Sequence, residues 1–292
     1  MPDKLSRVCV LLAAYNGTEF LEEQLQSILK QKNIELSIFI SVDLSSDNSY
    51  EWCCNYAEHH AQIKVLPYGE RFGGAAPNFF RLIRDISFSS FDYIALADQD
   101  DIWLETKLIT ACTYIKKDGL AAYSSNVLAF WANGREQLID KAQSQKKYDF
   151  LFEAAGPGCS YVLCTKQLLE FKAFLVQYQD KIKQVALHDW LIYAFFRSKE
   201  FPWFIDSKYQ LLYRQHDANQ VGVNTGWSAI VKRLNLLRNG WYKKQLILIS
   251  ELVGYEHLQL SSRWAVFKII FHSRRRWQDR IALLVFILLG LY

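Results

Sequence analysis

The sequence predicts an α/β protein built on a mainly parallel sheet with helices on both faces, and three observations predict it. Apolar runs of strand length at Val8–Ala14, Leu36–Val42 and Tyr93–Ala97 are almost free of polar residues, as strands covered on both faces are. Segments of helical periodicity separate them, which makes β-α-β units with right-handed crossovers. Polar clusters close each run, at the strand ends where open α/β sheets bind their ligands.

The first run, Val8-Cys-Val-Leu-Leu-Ala-Ala, ends at Tyr15-Asn16-Gly17 and reads as a buried strand; it is too short for a secretory leader. Leu21, Leu25, Ile28 and Leu29 then recur at helical spacing, with Glu22, Glu23 and Gln26 on the opposite face. Leu36–Val42 predicts the second strand, Ser49–His60 a helix and Ile63–Leu66 a short strand. After Tyr93–Ala97 comes the acidic turn Asp98-Gln-Asp-Asp101. The pattern beyond is mixed: a helix near Lys107–Lys117, strands near Ala121–Trp131 and Tyr161–Thr165, an exposed loop at Lys141–Lys147 and an apolar helix near Leu187–Phe196.

Composition bounds the function. With 292 residues, 51% hydrophobic and 22% charged, the chain is long and apolar enough for a real core, which excludes disorder as its main state. Six cysteines show no C-x-x-C pair or finger-type spacing, so reduced thiols are expected rather than a disulfide frame or zinc site. The net charge of +4 hides an asymmetry: residues 228–292 carry 11 Lys/Arg against 3 Asp/Glu, and the remainder is net negative. A uniformly basic nucleic-acid binder is excluded. In that tail Arg274-Arg275-Arg276-Trp277 precedes the uncharged Ile281–Tyr292, which is too short to span a bilayer as a helix. Basic residues, Trp and short apolar segments predict an interfacial helix on anionic lipid; a helical cap packed on the domain is the alternative.

Carboxylates two residues apart at a strand exit, as in Asp98-Gln-Asp-Asp101, can converge on a divalent cation and a diphosphate. His188-Asp189 opens an apolar helix, where Asp189 either caps the helix or works as a base. Tyr213-Arg-Gln-His216 adds a planar donor fork and an imidazole.

In order along the chain, these segments resemble the family 2 glycosyltransferases of GT-A fold, Rossmann-like in their sheet, and particularly bacterial rhamnosyltransferases and other sugar transferases of surface-polysaccharide synthesis. The segments are Val10–Gly17, Gln24–Gln31, Asp43–Asp47, Asn78-Phe79, Ala97–Trp103, Gly158-Cys-Ser160, His188-Asp189 and Tyr213–Asn219. The resemblance covers about residues 7–222. It implies a catalytic domain over 1–225, and the residues beyond predict a helical, basic-apolar, membrane-associating tail over 226–292. By the same resemblance, Ala13, Tyr15, Asp43, Asn78, Asp98 and Arg214 would bind the nucleotide sugar, with Asp43 accepting from the pyrimidine N3–H. Asp100 and His216 would hold Mn²⁺ or Mg²⁺, Asp101 would stand behind them, and Asp189 would be the general base. Gly158, Cys159 and Trp190 would face the acceptor.

The implied activity is inverting transfer from dTDP-rhamnose or a UDP-hexose to a polyprenyl-diphosphate-linked glycan, in O-antigen or capsule synthesis on the cytoplasmic face of a bacterial inner membrane. One departure is Val42-Asp43-Leu44, where the family has two acids and then Gly, so one carboxylate is missing. Two rival readings are a nucleotidyltransferase, which would bring a basic Gly-rich loop that Ala13–Gly17 lacks, and a non-catalytic membrane partner of another transferase.

Overall fold

The computed structural model describes residues 4–216, 240–290 and 292. In chain order these form β1 (Ser6–Ala14), α1 (Leu21–Leu29), β2 (Ile34–Val42), α2 (Ser49–Glu58), β3 (Ile63–Val65), α3 (Ala75–Asp85), β4 (Tyr93–Ala97) and β5 (Ile102–Trp103). There follow α4 (Lys107–Asp118), β6 (Ala122–Trp131), β7 (Glu136–Ile139), α5 (Asp149–Phe152), β8 (Val162–Cys164), α6 (Thr165–Gln177), α7 (Gln179–Ile182), α8 (His188–Ser198) and β9 (Trp203–Gln215). The tail holds α9 (Trp241–Leu252), α10 (Arg263–Lys268) and α11 (Trp277–Leu288).

One sheet runs β3-β2-β1-β4-β8-β6-β9-β5, with β7 on the free edge of β6. Its first four strands are parallel, as is the long β6–β9 pair; β8, β5 and β7 join antiparallel. The continuous apolar run of β1 is explained by its two faces. Val8, Val10, Leu12 and Ala14 enter the core under α1, α2 and α4, whereas Cys9, Leu11 and Ala13 enter the core under α3, α6 and α8. Since β1, β2 and β4 are parallel and in register, Ala14, Val42 and Ala97 end along one edge, and the turns that follow them face a common cleft.

Several elements were not legible in the sequence, among them α3, α6 and the 13-residue β9. The last of these matters most, because Ile102 and Trp103 pair with Leu212 and Leu211 and so draw Tyr213–His216 alongside the acidic turn. All six cysteines are free thiols.

The tail packs on the sheet-bearing region. Leu246, Ile249, Val266, Leu283 and Ile287 belong to the same buried cluster as Phe150 and Trp190 of the sheet-bearing region. Within the Arg cluster, Arg275 is fully buried, its guanidinium 3.1 Å from the equally buried Asp149 Oδ2 and its backbone N–H donating to Glu153 Oε1 at 2.6 Å. Arg274 donates to the Tyr242 hydroxyl at 2.7 Å. Two of the three arginines expected to meet lipid therefore hold the tail to the protein; a buried cation needs such partners, because taking it from water unpaired is costly. The division at 225/226, together with Asn219, Gly222 and Gly226, lies outside the described residues.

Candidate active site

The turn after β1 is fixed by the acidic turn after β4. Gln99 accepts from Tyr15 N–H at 2.7 Å and donates back to Tyr15 C=O at 2.9 Å, a two-point clamp that imitates a strand ladder. Gly17 lies against this amide, and a Cβ there would collide with it. From the other side, Gln24 of α1 donates to Asp98 C=O at 2.9 Å and Ser27 Oγ accepts from Trp103 N–H at 3.0 Å. The Tyr15 ring stays half exposed above this frame.

Asp43, buried at the end of β2, accepts from Leu44 N–H (2.8 Å), Phe72 N–H (2.7 Å) and Gly73 N–H (2.9 Å). A carboxylate has about four acceptor positions, so one lone pair remains for a ligand. Asn78, on α3, donates to Ser41 C=O at 3.1 Å and accepts from the Ser41 hydroxyl, locking α3 to the strand ends. Asp47 is spent locally, accepting from Thr18 and Ser49.

At the acidic turn, His216 Nε2 lies 2.8 Å from Asp100 Oδ2, with its ring stacked on Phe20. Burial pushes Asp98 up to about 7, reinforced by the charges of Asp100 and Asp189. Burial likewise raises Asp101 well above the carboxylate range, with Asp100 and Asp98 adding to it. Behind them the Lys107 ammonium lies 3.1 Å from the centre of the Trp103 ring, and burial drives it down to about 7. Ligand atoms of Asp98, Asp101 and Cys159 fall within 4.8 Å of one another.

Across the cleft Asp189 stands in the first turn of α8, its Oδ1 accepting from Trp190 N–H at 2.8 Å. Burial raises it to about 6, against lowering by that bond and by Lys141. The neighbouring His188 stacks on Phe79 and presses Nε2 against Gly158; that nitrogen has no hydrogen-bond partner among the described residues, and burial lowers the ring to about 3, keeping it neutral. Both groups open onto a cavity of 1010 Å³, which Ala13, Tyr15, Asp43, Asn78, Asp98, Asp100, Gly158 and His216 also line. That is the upper end of the ~300–1,000 Å³ usual for ligand sites, enough for two ligands side by side.

The sequence model of glycosyl transferase family 2 matches residues 9–175. The chain belongs to that family. It is 42% identical over 289 residues to the dTDP-rhamnosyl transferase RfbG of Shigella flexneri, covering 96% of this chain and all of that one. A second relative, the Escherichia coli UDP-Glc:alpha-D-GlcNAc-diphosphoundecaprenol beta-1,3-glucosyltransferase WfgD, is 23% identical over 56% of this chain and 61% of its own. Among solved structures, S. aureus TarS 1–349 in complex with UDP-GlcNAc superposes with a TM-score of 0.56 at 13% identity, covering 95% of this chain and 83% of that one. The mannosyltransferase PcManGT from Pyrobaculum calidifontis, in complex with GDP-Man and Mn²⁺, gives 0.53 at 15% identity, covering 100% and 82%. These superpositions establish the GT-A fold.

The chain is thus a family 2 glycosyltransferase, and nine of the twelve expected site residues line its cavity. Arg214, Cys159 and Trp190 do not. The Arg214 guanidinium pairs with Glu23, donates to Asp100 C=O at 2.9 Å and lies over Phe20 and Phe130, so it positions the acidic turn rather than facing it. Trp190 is buried, donating to Phe150 C=O and stacked on Tyr242. Cys159 is buried beside Asp98 and Asp101.

A hard divalent cation fits Asp100 and His216. They offer it a carboxylate and an imidazole, joined here by a 2.8 Å hydrogen bond, and the crowded carboxylates call for positive charge. Cys159 is a poor partner for such an ion, since thiolates suit softer metals. Four further residues line the cavity: Gln99 and His188 lie within the family segments but carry no implied role, and Lys141 and Arg276 lie outside them.

Proposed function

We propose that the chain transfers rhamnose from dTDP-rhamnose, with inversion at the anomeric carbon, to a sugar hydroxyl of a lipid-linked oligosaccharide in surface-polysaccharide synthesis. The observation that carries the reading is the near full-length 42% identity to a dTDP-rhamnosyl transferase, joined to a cleft with a carboxylate on each wall. The pyrimidine N3–H donates to the remaining lone pair of Asp43, and Tyr15 stacks on the base. Asp100 and His216 would hold a divalent cation, which would supply Lewis-acid stabilisation of the charge on the departing diphosphate.

Asp189 accepts the proton of the acceptor hydroxyl as its oxygen bonds to the anomeric carbon. The bond from that carbon to the diphosphate oxygen breaks on the opposite side, and the electron pair leaves with dTDP. A base near pH 6 is ionised at neutral pH yet still basic enough for this work. Asp43, in accepting from Phe72 and Gly73, also secures the loop above the base, which compensates for the acid absent at Val42.

The same reading places the protein on the cytoplasmic face of the inner membrane. No described helix is long and apolar enough to cross a bilayer. Trp264, Phe267, Phe271, Trp277, Ile281 and Leu288 nonetheless leave large apolar areas exposed on one segment, which suits shallow interfacial insertion.

Thermal-shift measurement with dTDP-rhamnose, UDP-glucose, GDP-mannose and CMP, with and without Mn²⁺, tests the donor. Ligand that binds only the folded state must raise the transition. A cation-dependent rise with dTDP-rhamnose, lost in Asp100→Ala, supports the proposal. A rise with UDP-glucose alone transfers the donor to the uridine class, and none with any nucleotide favours the non-catalytic partner.

A further inference from the structure

The acceptor half of the cleft carries two cations that the transfer chemistry above does not use. Lys141, just beyond β7, and Arg276, directly before α11, both line the cavity that holds Asp189, and the charge of Lys141 is felt at Asp189. Neither side chain forms a hydrogen bond or ion pair with a described residue. The nearby carboxylates are largely engaged: Glu153 binds the backbone and guanidinium of Arg275, Asp149 binds Arg275 and Arg197, and Asp140 accepts from Asn126 and Ala142. Through space Lys141 also feels Glu153 and, more weakly, Asp279, opposed by Arg275 and Arg274. Lysine and arginine converging on one cavity with uncommitted donors are the usual means of holding phosphate oxygens.

Arg276 is held there by design of the tail. Arg275 is locked into Asp149 and Glu153, so the next residue must emerge at the cleft wall. Immediately after it the surface turns apolar: Trp277 is 60% exposed, and Ile281, Val285 and Leu288 continue that exposure along α11. Cationic cleft and apolar face meet at a single peptide bond. A ligand matching both would be an anion esterified to a hydrocarbon chain.

Resting on the proposed lipid-linked acceptor, we infer that Lys141 and Arg276 form an acceptor-side subsite for the diphosphate joining the acceptor sugar to its lipid. The sugar hydroxyl then reaches Asp189 while the alkyl chain leaves across Trp277. The C-terminal segment in this arrangement is a wall of the active site that selects phosphate-linked acceptors, in addition to any contact it makes with the membrane.

Calorimetric titration of the full-length protein in EDTA, which keeps cation-dependent diphosphate binding out of the donor half, tests the subsite. The probes are undecyl diphosphate, inorganic pyrophosphate and the uncharged undecyl maltoside. The proteins are wild type, Lys141→Gln, Arg276→Gln and the double variant. Undecyl diphosphate should bind the wild type about tenfold more tightly than pyrophosphate does, and lose about tenfold with each cation removed. Maltoside binding should be the same in all four proteins.

Binding of undecyl diphosphate that is absent in the wild type, or within twofold in the double variant, overturns the subsite. Equal affinity for pyrophosphate overturns its assignment to a lipid ester. Affinity for dTDP with Mn²⁺, measured on the same four proteins, reports a folded donor half and reads the donor proposal separately. Its failure in the wild type refutes that donor alone, because dependence on Lys141 and Arg276 still decides the acceptor arm.

Discussion

Replacing Asp189 with asparagine should make the enzyme at once more stable and nearly inactive, and both effects follow from one carboxylate. Burial raises this group from 3.8 to about 6, so the folded protein keeps its proton over a range where the unfolded chain has lost it. Its favourable contribution is complete below about pH 4 and is lost as the pH rises through 6. Above that, holding the ionised form costs up to about 3 kcal/mol, at roughly 1.4 kcal/mol per pH unit of displacement.

Asp189 stands on a cleft wall, where water screens part of its charge, so about 1–2 kcal/mol is the recoverable share. Asparagine keeps an oxygen for Trp190 N–H and removes the charge. At pH 8 the variant should melt roughly 2–5 °C above wild type, and at pH 4 the difference should vanish. Transfer should fall by about 10²–10⁴, the usual worth of a general base. The wild-type kcat/KM should decline below pH 6 with a slope of one proton. Calorimetry at the two pH values and a coupled dTDP-release assay read both limbs. An asparagine variant that turns over at more than a tenth of the wild-type rate, or whose stability gain is the same at pH 4 and 8, refutes the assignment.

Three further outcomes follow from the geometry. Gly17→Ala should displace the Gln99 amide, costing about 1–3 kcal/mol and weakening nucleotide affinity; adding Gln99→Ala should restore stability but not affinity, as urea unfolding and dTDP titration would show. Asp149→Asn strips a buried partner from Arg275 and Arg197 and should lower stability by about 3–5 kcal/mol, with early proteolytic release of the tail; a midpoint unchanged in urea contradicts the pairing. Phe271→Ser with Trp277→Ser should reduce flotation with anionic vesicles at least severalfold while leaving dTDP affinity intact, and unaltered flotation argues against insertion by that face.

How much of this could be read from the sequence depended on range. The parallel half of the sheet was legible because β1, β2 and β4 are buried on both faces, which writes itself locally as uninterrupted apolar residues. The Asp98–Asp101 turn was legible because its chemistry is contained in four consecutive residues. Helix α3 was obscured by Gly73, Gly74 and Pro77 near its start, and β9 by the exposed polar stretch Ser207–Tyr209 at its middle. Arg214 misled because an arginine beside a phosphate motif reads as a phosphate ligand, whereas its partner Glu23 lies 191 residues away in the chain. The same distance effect hid the tail. A run of three arginines reads as solvent-facing until Asp149, 126 residues earlier, is known to receive the middle one.

The Asp149–Arg275 pair has a consequence for when activity can begin. The cleft wall at Arg276 belongs to a segment synthesised after the nucleotide half, which among the described residues draws on positions up to His216. A nascent chain could therefore form strands β1–β9 while the hydrophobic cluster beneath α8 stays open and Asp149 waits unpaired. Synthesis of residues 240–290 supplies the missing counter-ion, the missing core and the missing wall together. Removal of residues 240–290 should then leave Asp149 without its Arg275 partner and the cluster beneath α8 open, so this segment completes the core and the cleft wall in one step.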